Sequence, residues 1–303
     1  MTDMITTVID QDKCTGCSLC LTVCFDNTIS MENGKAYVTG NKCLQCGHCV
    51  AICPVNAIEV GAIDSENLRF NTLDLSSEWL EWGKPEPGEL VRLMASRRSC
   101  RNYLDRQVSR EILEDLVRIG ITAPSGSNCQ KWTFTVLDKR EQVEQLGDRI
   151  AKFFQNLNRM AENPLMRIIS RIFSGNALGA YYHRYYETVK RGLKEWEDEG
   201  RDLLFHGAPA TILVGGEPGA YSPMEDALLA SQNILLGAHS MGLGSCLIGF
   251  AVSAMEHDPA IKDIIGVTRK EKIHAAIALG YPNEKYQRLT GRRTPVVRFP
   301  EMS

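Results

Sequence analysis

Cys14-Thr15-Gly16-Cys17-Ser18-Leu19-Cys20-Leu21-Thr22-Val23-Cys24 is followed by Cys43-Leu44-Gln45-Cys46-Gly47-His48-Cys49-Val50-Ala51-Ile52-Cys53. Each cysteine of the second run stands 29 residues after its counterpart in the first. Asn27-Thr28-Ile29 returns at the same offset as Asn56-Ala57-Ile58. This is an internal duplication. Eight of the 11 cysteines of the chain lie in the two runs. The opening MTDMITTVIDQDK carries acidic residues and no apolar h-region, so it does not read as a signal peptide. A disulfide framework is therefore not the expectation.

Each run reads Cys-x-x-Cys-x-x-Cys-x-x-x-Cys, the bacterial ferredoxin spacing for [4Fe–4S] clusters. Three thiolates in one tight loop reach three irons of one cube. The fourth lies too far along the chain and ligates the other cluster. By that crossover Cys14, Cys17, Cys20 and Cys53 hold one cluster, and Cys43, Cys46, Cys49 and Cys24 hold the second. Pro54 completes the second motif, whereas Phe25 stands where the first would have proline. The competing reading is a zinc ribbon, but two Cys-x-x-Cys knuckles suffice for zinc and leave half of these thiols without use. His48 lies inside the second loop and reads as a surface residue, because four cysteines already satisfy each cluster. A domain of residues 1–62 builds little core, so the clusters must supply folding energy. Strand-like pieces at Thr6–Ile9, Ala36–Val38 and Ile58–Val60 flank them.

The chain has 303 residues, which at about 100–200 per domain predicts two domains. Its 44% hydrophobic and 23% charged residues are those of a globular protein. The formal net charge of -3 gives no nucleic-acid footprint. No apolar run approaches the roughly 18 residues of a membrane span. No membrane association is expected, and the expected compartment is the cytoplasm.

Residues 63–88 are dense in turn residues (Gly83, Pro85, Pro87, Gly88) and read as a linker with one short helix near Trp79 and Trp82. From residue 89 to 303 the pattern becomes regular. Leu90, Leu93 and Met94 share a helical face. Ser109 reads as the N-cap of a helix with the stripe Ile112, Leu113, Leu116, Val117, stopped by Pro124. Trp132–Leu137 and Thr211–Val214 read as strands, the latter bounded by Gly215-Gly216. Ser222, Pro223 and Glu225 predict an N-cap, N1 proline and capping box for a helix running to Gly242. Asp258-Pro259 opens another helix, and Ile273–Leu279 is a strand ending at Gly280. Helices and strands mix without βαβ alternation, so the predicted class is α+β rather than a doubly wound sheet.

Neither a Gly-x-Gly-x-x-Gly after a strand nor a P-loop is present. Instead Arg97-Arg98-Ser99-Cys100-Arg101 ends a helix, with Arg97 and Arg101 on one face if the helix continues. Arg292-Arg293 closes the domain. Arginine forks beside a hydroxyl suit a phosphate, although arginine pairs are more often a solvated face. Ala123-Pro124-Ser125-Gly126-Ser127-Asn128-Cys129-Gln130-Lys131-Trp132 is a small polar loop between helix and strand. The glycines of Gly242-Leu243-Gly244-Ser245-Cys246-Leu247-Ile248-Gly249 let backbone approach a flat ligand.

On these four motifs, with Leu279-Gly280-Tyr281-Pro282 before the tail arginines, residues 91–303 resemble the FMN-dependent nitroreductase family. With the cysteine domain, the whole chain resembles the ferredoxin–nitroreductase fusions. The resemblance implies a small 2[4Fe–4S] domain followed by a nitroreductase-like α+β FMN domain. It implies that Arg97, Arg98, Ser99, Arg101, Arg292 and Arg293 bind the FMN phosphate and ribityl chain. It implies that Pro124, Ser125, Ser127 and Asn128 contact the flavin ring, from the partner subunit of a homodimer. It also implies that Ile248 and Gly249 offer backbone N–H groups to flavin N5 and O4. Cys100, Cys129 and Cys246 read as small buried hydrophobes.

Residues 148–206, rich in aromatics such as Tyr181, Tyr182, Tyr185 and Tyr186, are predicted to form a helical insertion, either a core or dimer stripe or a lid over the flavin. The expected activity is an oxidoreductase with no side chain needed as catalyst. Ferredoxin or another low-potential donor reduces the clusters, and FMN passes electrons to a small-molecule acceptor such as a nitroaromatic or quinone. The alternatives are reversed flow, from an organic donor or NAD(P)H through FMN to the clusters, and an electron-transfer adaptor without a small-molecule substrate.

Overall fold

The computed structural model describes residues 5–301. The cysteine domain is framed by two antiparallel ribbons. β1 (Thr7–Ile9) pairs with β4 (Ile58–Val60), and β2 (Ile29–Glu32) pairs with β3 (Lys35–Val38). Between them lie the single-turn helices α1 (Leu19–Thr22) and α2 (His48–Ile52). The duplication is kept in the backbone. Positive φ recurs at Gly16 and Gln45, at Ser18 and Gly47, and at Asn27 and Asn56. Among the described residues its core cluster is Cys20, Ile29, Ala36 and Ile58, with partly buried cysteines and aliphatic side chains around them. So small a cluster leaves much of the stability to whatever the thiols bind.

The segment after β4 forms a 3₁₀ turn at Ser65–Leu68, capped by Asp64. No helix forms near Trp79 and Trp82. The two rings instead meet edge to face, largely exposed, because the prolines and glycines beside them prevent a continuous backbone ladder. Helix α3 (Pro87–Ser96) starts with proline in its first turn. It ends at Ser96, so Arg97–Arg101 is not helical. Helix α4 (Arg110–Gly120) begins at Ser109, whose side chain accepts from Ile112 N.

The sheet of the second domain runs β5 (Trp132–Leu137), β6 (Ala210–Gly216), β8 (Lys272–Gly280), β7 (Gly244–Leu247), antiparallel throughout. The strands are thus not doubly wound, and the class is α+β. Gly215 and Gly216 continue β6 rather than bounding it, across a register shift after Val214.

Between β5 and β6 comes a helical excursion: α5 (Arg140–Glu162), α6 (Pro164–Phe173), α7 (Ala177–Arg184) and α8 (Tyr186–Glu199). The helix breaks at Tyr185, yet Tyr182 and Tyr186 still stack at 4.8 Å. Helix α9 (Pro223–Ser240) follows β6. Its expected capping box is absent, since the Ser222 side chain makes no cap hydrogen bond. Helix α10 (Gly249–His257) follows β7, and Pro259–Ile265 is a 3₁₀ turn.

Both faces of the sheet are covered. Ile212 and Val214 of β6 pack with Leu113, Leu116 and Ile234 of α4 and α9. Leu213 faces the other way, to Leu146, Ile150 and Met255 of α5 and α10. This period-2 alternation buries the central strands on both sides. Each side chain of that kind contributes about 1.5–3 kcal/mol on burial. The helices on one face carry the cavity described next.

Candidate functional site

The cysteines form two groups. One cavity is lined by Cys14, Cys17, Cys20 and Cys53, the other by Cys24, Cys43, Cys46 and Cys49. Each takes three thiols from one run and the fourth from the other. The ribbons bring the ends of the runs together, so the last cysteine of each reaches across.

Burial pushes the Cys49 thiol up to about 11, and neighbouring Cys46 and Cys24 push it the same way. Burial also raises Cys20, with Cys17, Cys14 and Cys53 adding to it. Among the described residues no three His, Cys, Asp or Glu side chains are grouped to hold a single metal ion. Four sulfurs line each cavity, a donor set whose chemistry suits an iron–sulfur cluster. Backbone donors already point at the sulfurs. Thr28 N donates to Cys24 Sγ at 3.2 Å and Ala57 N to Cys53 Sγ at 3.3 Å, again 29 residues apart. His48 is exposed.

In the second domain Arg97–Arg101 is extended, and Ser99 forms a parallel bridge with Ser245 beside β7. Arg97, Arg98 and Cys100 line one cavity with Ser245, and Arg101 lines another. Burial raises the Cys246 thiol, while Arg101, Ser99 and Arg97 act on it to lower it. Arg98 instead donates to Thr290 Oγ1 in the tail, and Cys100 Sγ lies 3.7 Å from Glu284 Oε2. Arg292 and Arg293 follow Thr290 in the same exposed tail.

A cavity of about 1180 Å³ opens between α10 and the helical excursion, lined by Arg101, Phe154, Tyr181, Tyr185, Ile248 and Gly249 among others. One end is cationic and the walls are aromatic, which fits a flat, anionic cofactor such as FMN. Ile248 does not offer its N–H there: it donates to Ala276 O at 2.8 Å, closing β7 onto β8. Gly249, at the first position of α10, faces the cavity with an N–H that the helix itself cannot satisfy.

His206, which the sequence pattern did not single out, joins Arg101 at the rim. Burial and the Arg101 charge hold its imidazole below the usual range. Its only signal was position at the end of the aromatic segment. Burial likewise raises the Tyr181 hydroxyl, which donates to Asn158 Oδ1 at 2.7 Å.

The Ala123–Trp132 loop is anchored from α9. Gly126 N donates to Asp226 Oδ1 at 2.8 Å, and Gln130 N to Ser125 Oγ at 3.0 Å. The sequence pattern does not single out Asp226; only folding shows its target. Pro124, Ser125, Ser127 and Asn128 do not line the cavity of their own chain. Asn128 Nδ2 reaches the cysteine domain instead, donating to Leu44 O at 3.3 Å and Gln45 O at 2.9 Å. Cys100 and Cys246 are buried and Cys129 half-buried.

Two family models match this chain: the nitroreductase family over residues 94–281, and a 4Fe-4S dicluster domain over residues 6–54. A putative NADH dehydrogenase/NAD(P)H nitroreductase of Archaeoglobus fulgidus is 23% identical, over 65% of this chain and 87% of its own length. A 4-nitrobenzoate reductase of Nocardioides sp. is 26% identical, over 64% of this chain and 81% of its own. Among solved structures, a nitroreductase with bound FMN from Bacteroides fragilis superposes with a TM-score of 0.52 at 22% identity, covering 70% of this chain and 99% of that one. A second, from Desulfitobacterium hafniense, also with bound FMN, gives 0.50 at 22% identity, covering 69% and 98%.

Proposed function

The chain belongs to the nitroreductase family, and from that membership we propose that it is an FMN-dependent oxidoreductase with a built-in iron–sulfur electron inlet. The observation that carries the reading is the contact in one chain between the second cysteine loop and the Asn128 loop of the family domain. A reduced ferredoxin or another low-potential donor loads two [4Fe–4S] clusters, bound by the crossed quartets of cysteines. FMN, when bound, supplies both one- and two-electron transfer, and so converts single electrons into a two-electron reduction.

Arg97, Ser99 and Arg101 hold its phosphate and ribityl chain, with Arg98 tying the tail of Arg292 and Arg293 to the same place. Gly249 N–H and the positive end of α10 face the flavin ring. In a homodimer, Pro124, Ser125 and Ser127 cover the ring of the partner's flavin. The exposed face of α6, with Leu165, Ile168, Ile172 and Phe173, supports a second copy burying it. The acceptor is a small conjugated molecule, such as a nitroaromatic or quinone, held by the aromatic walls. An open cavity of about 1180 Å³ favours a small-molecule reductase over an adaptor that only relays electrons.

A second reading reverses the flow, from NAD(P)H through FMN to the clusters. The relative named for NADH and NAD(P)H favours it. Anaerobic stopped-flow mixing separates the two. Under the inlet reading, reduced ferredoxin bleaches the cluster band first and the flavin afterwards. If NADH or NADPH bleaches the flavin within milliseconds and the clusters fill from it, the flow runs the other way.

A further inference from the structure

A single peptide plane joins the flavin domain to one cysteine sulfur. Asn128 Nδ2 donates to Leu44 O at 3.3 Å, and Gln45 N, at the other end of that same peptide group, donates to Cys43 Sγ at 3.3 Å. A donor on the carbonyl of a peptide polarises it and strengthens its N–H. Asn128 therefore acts on Cys43 through the Leu44–Gln45 peptide. Its second contact, to Gln45 O at 2.9 Å, fixes the loop in place.

The backbone is shaped for this meeting on both sides. Ser127, Asn128 and Gln130 have φ of 51, 54 and 49°, and Gln45 has 51°. Such left-handed residues persist only where their surroundings hold them. The duplication is also broken here. In the first run the equivalent of Gln45 is Gly16, where an added Cβ would meet Gly34 O at 2.0 Å. The first loop thus closes onto its own domain, while the second meets the flavin domain.

We propose that Asn128 is a positioning residue that clamps the second cysteine loop, and that the cluster of Cys24, Cys43, Cys46 and Cys49 is the one facing the flavin domain, its reduction potential raised by the Asn128–peptide–Cys43 relay. The proposal rests on the two-cluster reading above. Hydrogen bonds to cluster sulfurs stabilise the extra negative charge of the reduced form and so raise its potential. Asn128 thus favours electron residence on the cluster next to the flavin domain. It also accounts for an amide that is turned away from the cavity of its own chain.

The test is a redox titration of the holoprotein followed by EPR, with the two cluster signals assigned through Cys17→Ser, which alters only the first quartet. Asn128→Gly fits the left-handed backbone and removes the amide; Asn128→Asp keeps the shape and removes the donors. Each is expected to lower the midpoint of the Cys24/Cys43/Cys46/Cys49 cluster and to leave the other unchanged. Unchanged midpoints, an upward shift, or equal shifts in both clusters overturn the relay. Iron and sulfide analysis of the unsubstituted protein separates this from the parent reading. Substantially fewer than about eight of each per chain refutes the two-cluster assignment and the relay with it. Full content without the one-sided shift refutes the relay alone.

Discussion

Thr72 gives both its backbone N–H, at 2.7 Å, and its hydroxyl, at 2.6 Å, to Oδ2 of Asp115. Asn71 N donates to the other carboxylate oxygen at 2.7 Å, and Arg118 pairs with it at 3.0 Å. The Asp115 side chain is wholly buried on α4. A carboxylate in the helix stripe thus fastens the connection between the domains and limits how far the cysteine domain can stray from its contact at Asn128. Burial works to raise the Asp115 pKa. The donors of Asn71 and Thr72 outweigh it, with Arg118 adding to them, and the net shift is downward.

Asp115→Asn should therefore loosen the connection. Losing a charge-assisted hydrogen bond costs about 1.5–3 kcal/mol. Thermal unfolding should fall accordingly, and trypsin should cut faster after Arg69. Because the folded pKa lies below the ordinary 3.8, this contribution is present above that value and is lost as pH falls through the folded one. The variant should show a weaker acid dependence of stability, measured by denaturant unfolding from pH 6 downward.

His206 works by the same sign with the opposite charge. Its folded pKa lies below the ordinary 6.5, so the unfolded chain binds the proton more readily. Stability is full above 6.5 and falls as pH drops through the folded value. His206→Asn, which tolerates the φ of 59° there, should flatten this loss. Denaturation midpoints compared at pH 7.5 and 5.5 check it: an equal drop in both proteins contradicts the assignment.

Changing Cys53 to Ala should damage the cluster of Cys14, Cys17 and Cys20, although Cys53 lies in the other run. Mössbauer or EPR spectra reading out the two clusters decide this. Damage confined to the Cys43–Cys49 cluster would contradict the crossed quartets.

Arg97→Ala and Arg293→Ala should each weaken FMN retention by about 1.5–3 kcal/mol, the worth of one charged hydrogen bond. Fluorescence of released FMN on dilution measures it. Stoichiometric, tightly held FMN in the double variant would remove the proposed phosphate site.

A chain beginning at residue 63 keeps the Asn71–Thr72 clasp on Asp115. It should bind FMN, lose ferredoxin-driven turnover and retain turnover with artificial two-electron donors. Ferredoxin reducing it as fast as the full chain would show that the cysteine domain is not the inlet.

The crossed grouping of the cysteines and the α+β class were legible in the sequence for a physical reason. Cluster chemistry demands thiols at short fixed spacings, and strand and helix periods are local properties. What failed was whatever depended on hydrogen-bond partners far along the chain. Helix α3 stops at Ser96 and the next residues pair with β7 through Ser99 and Ser245, so Arg97 and Arg101 do not share a helical face and line different cavities. The Ile248 N–H is consumed by Ala276, which leaves Gly249 to face the cavity. Ser222 does not cap α9, while Asp226 four residues on reaches Gly126. Asn128, in a motif that suggests a flavin contact, spends its amide on Leu44 and Gln45. A backbone group can satisfy only a few partners, and folding, not spacing, decides which of them arrive.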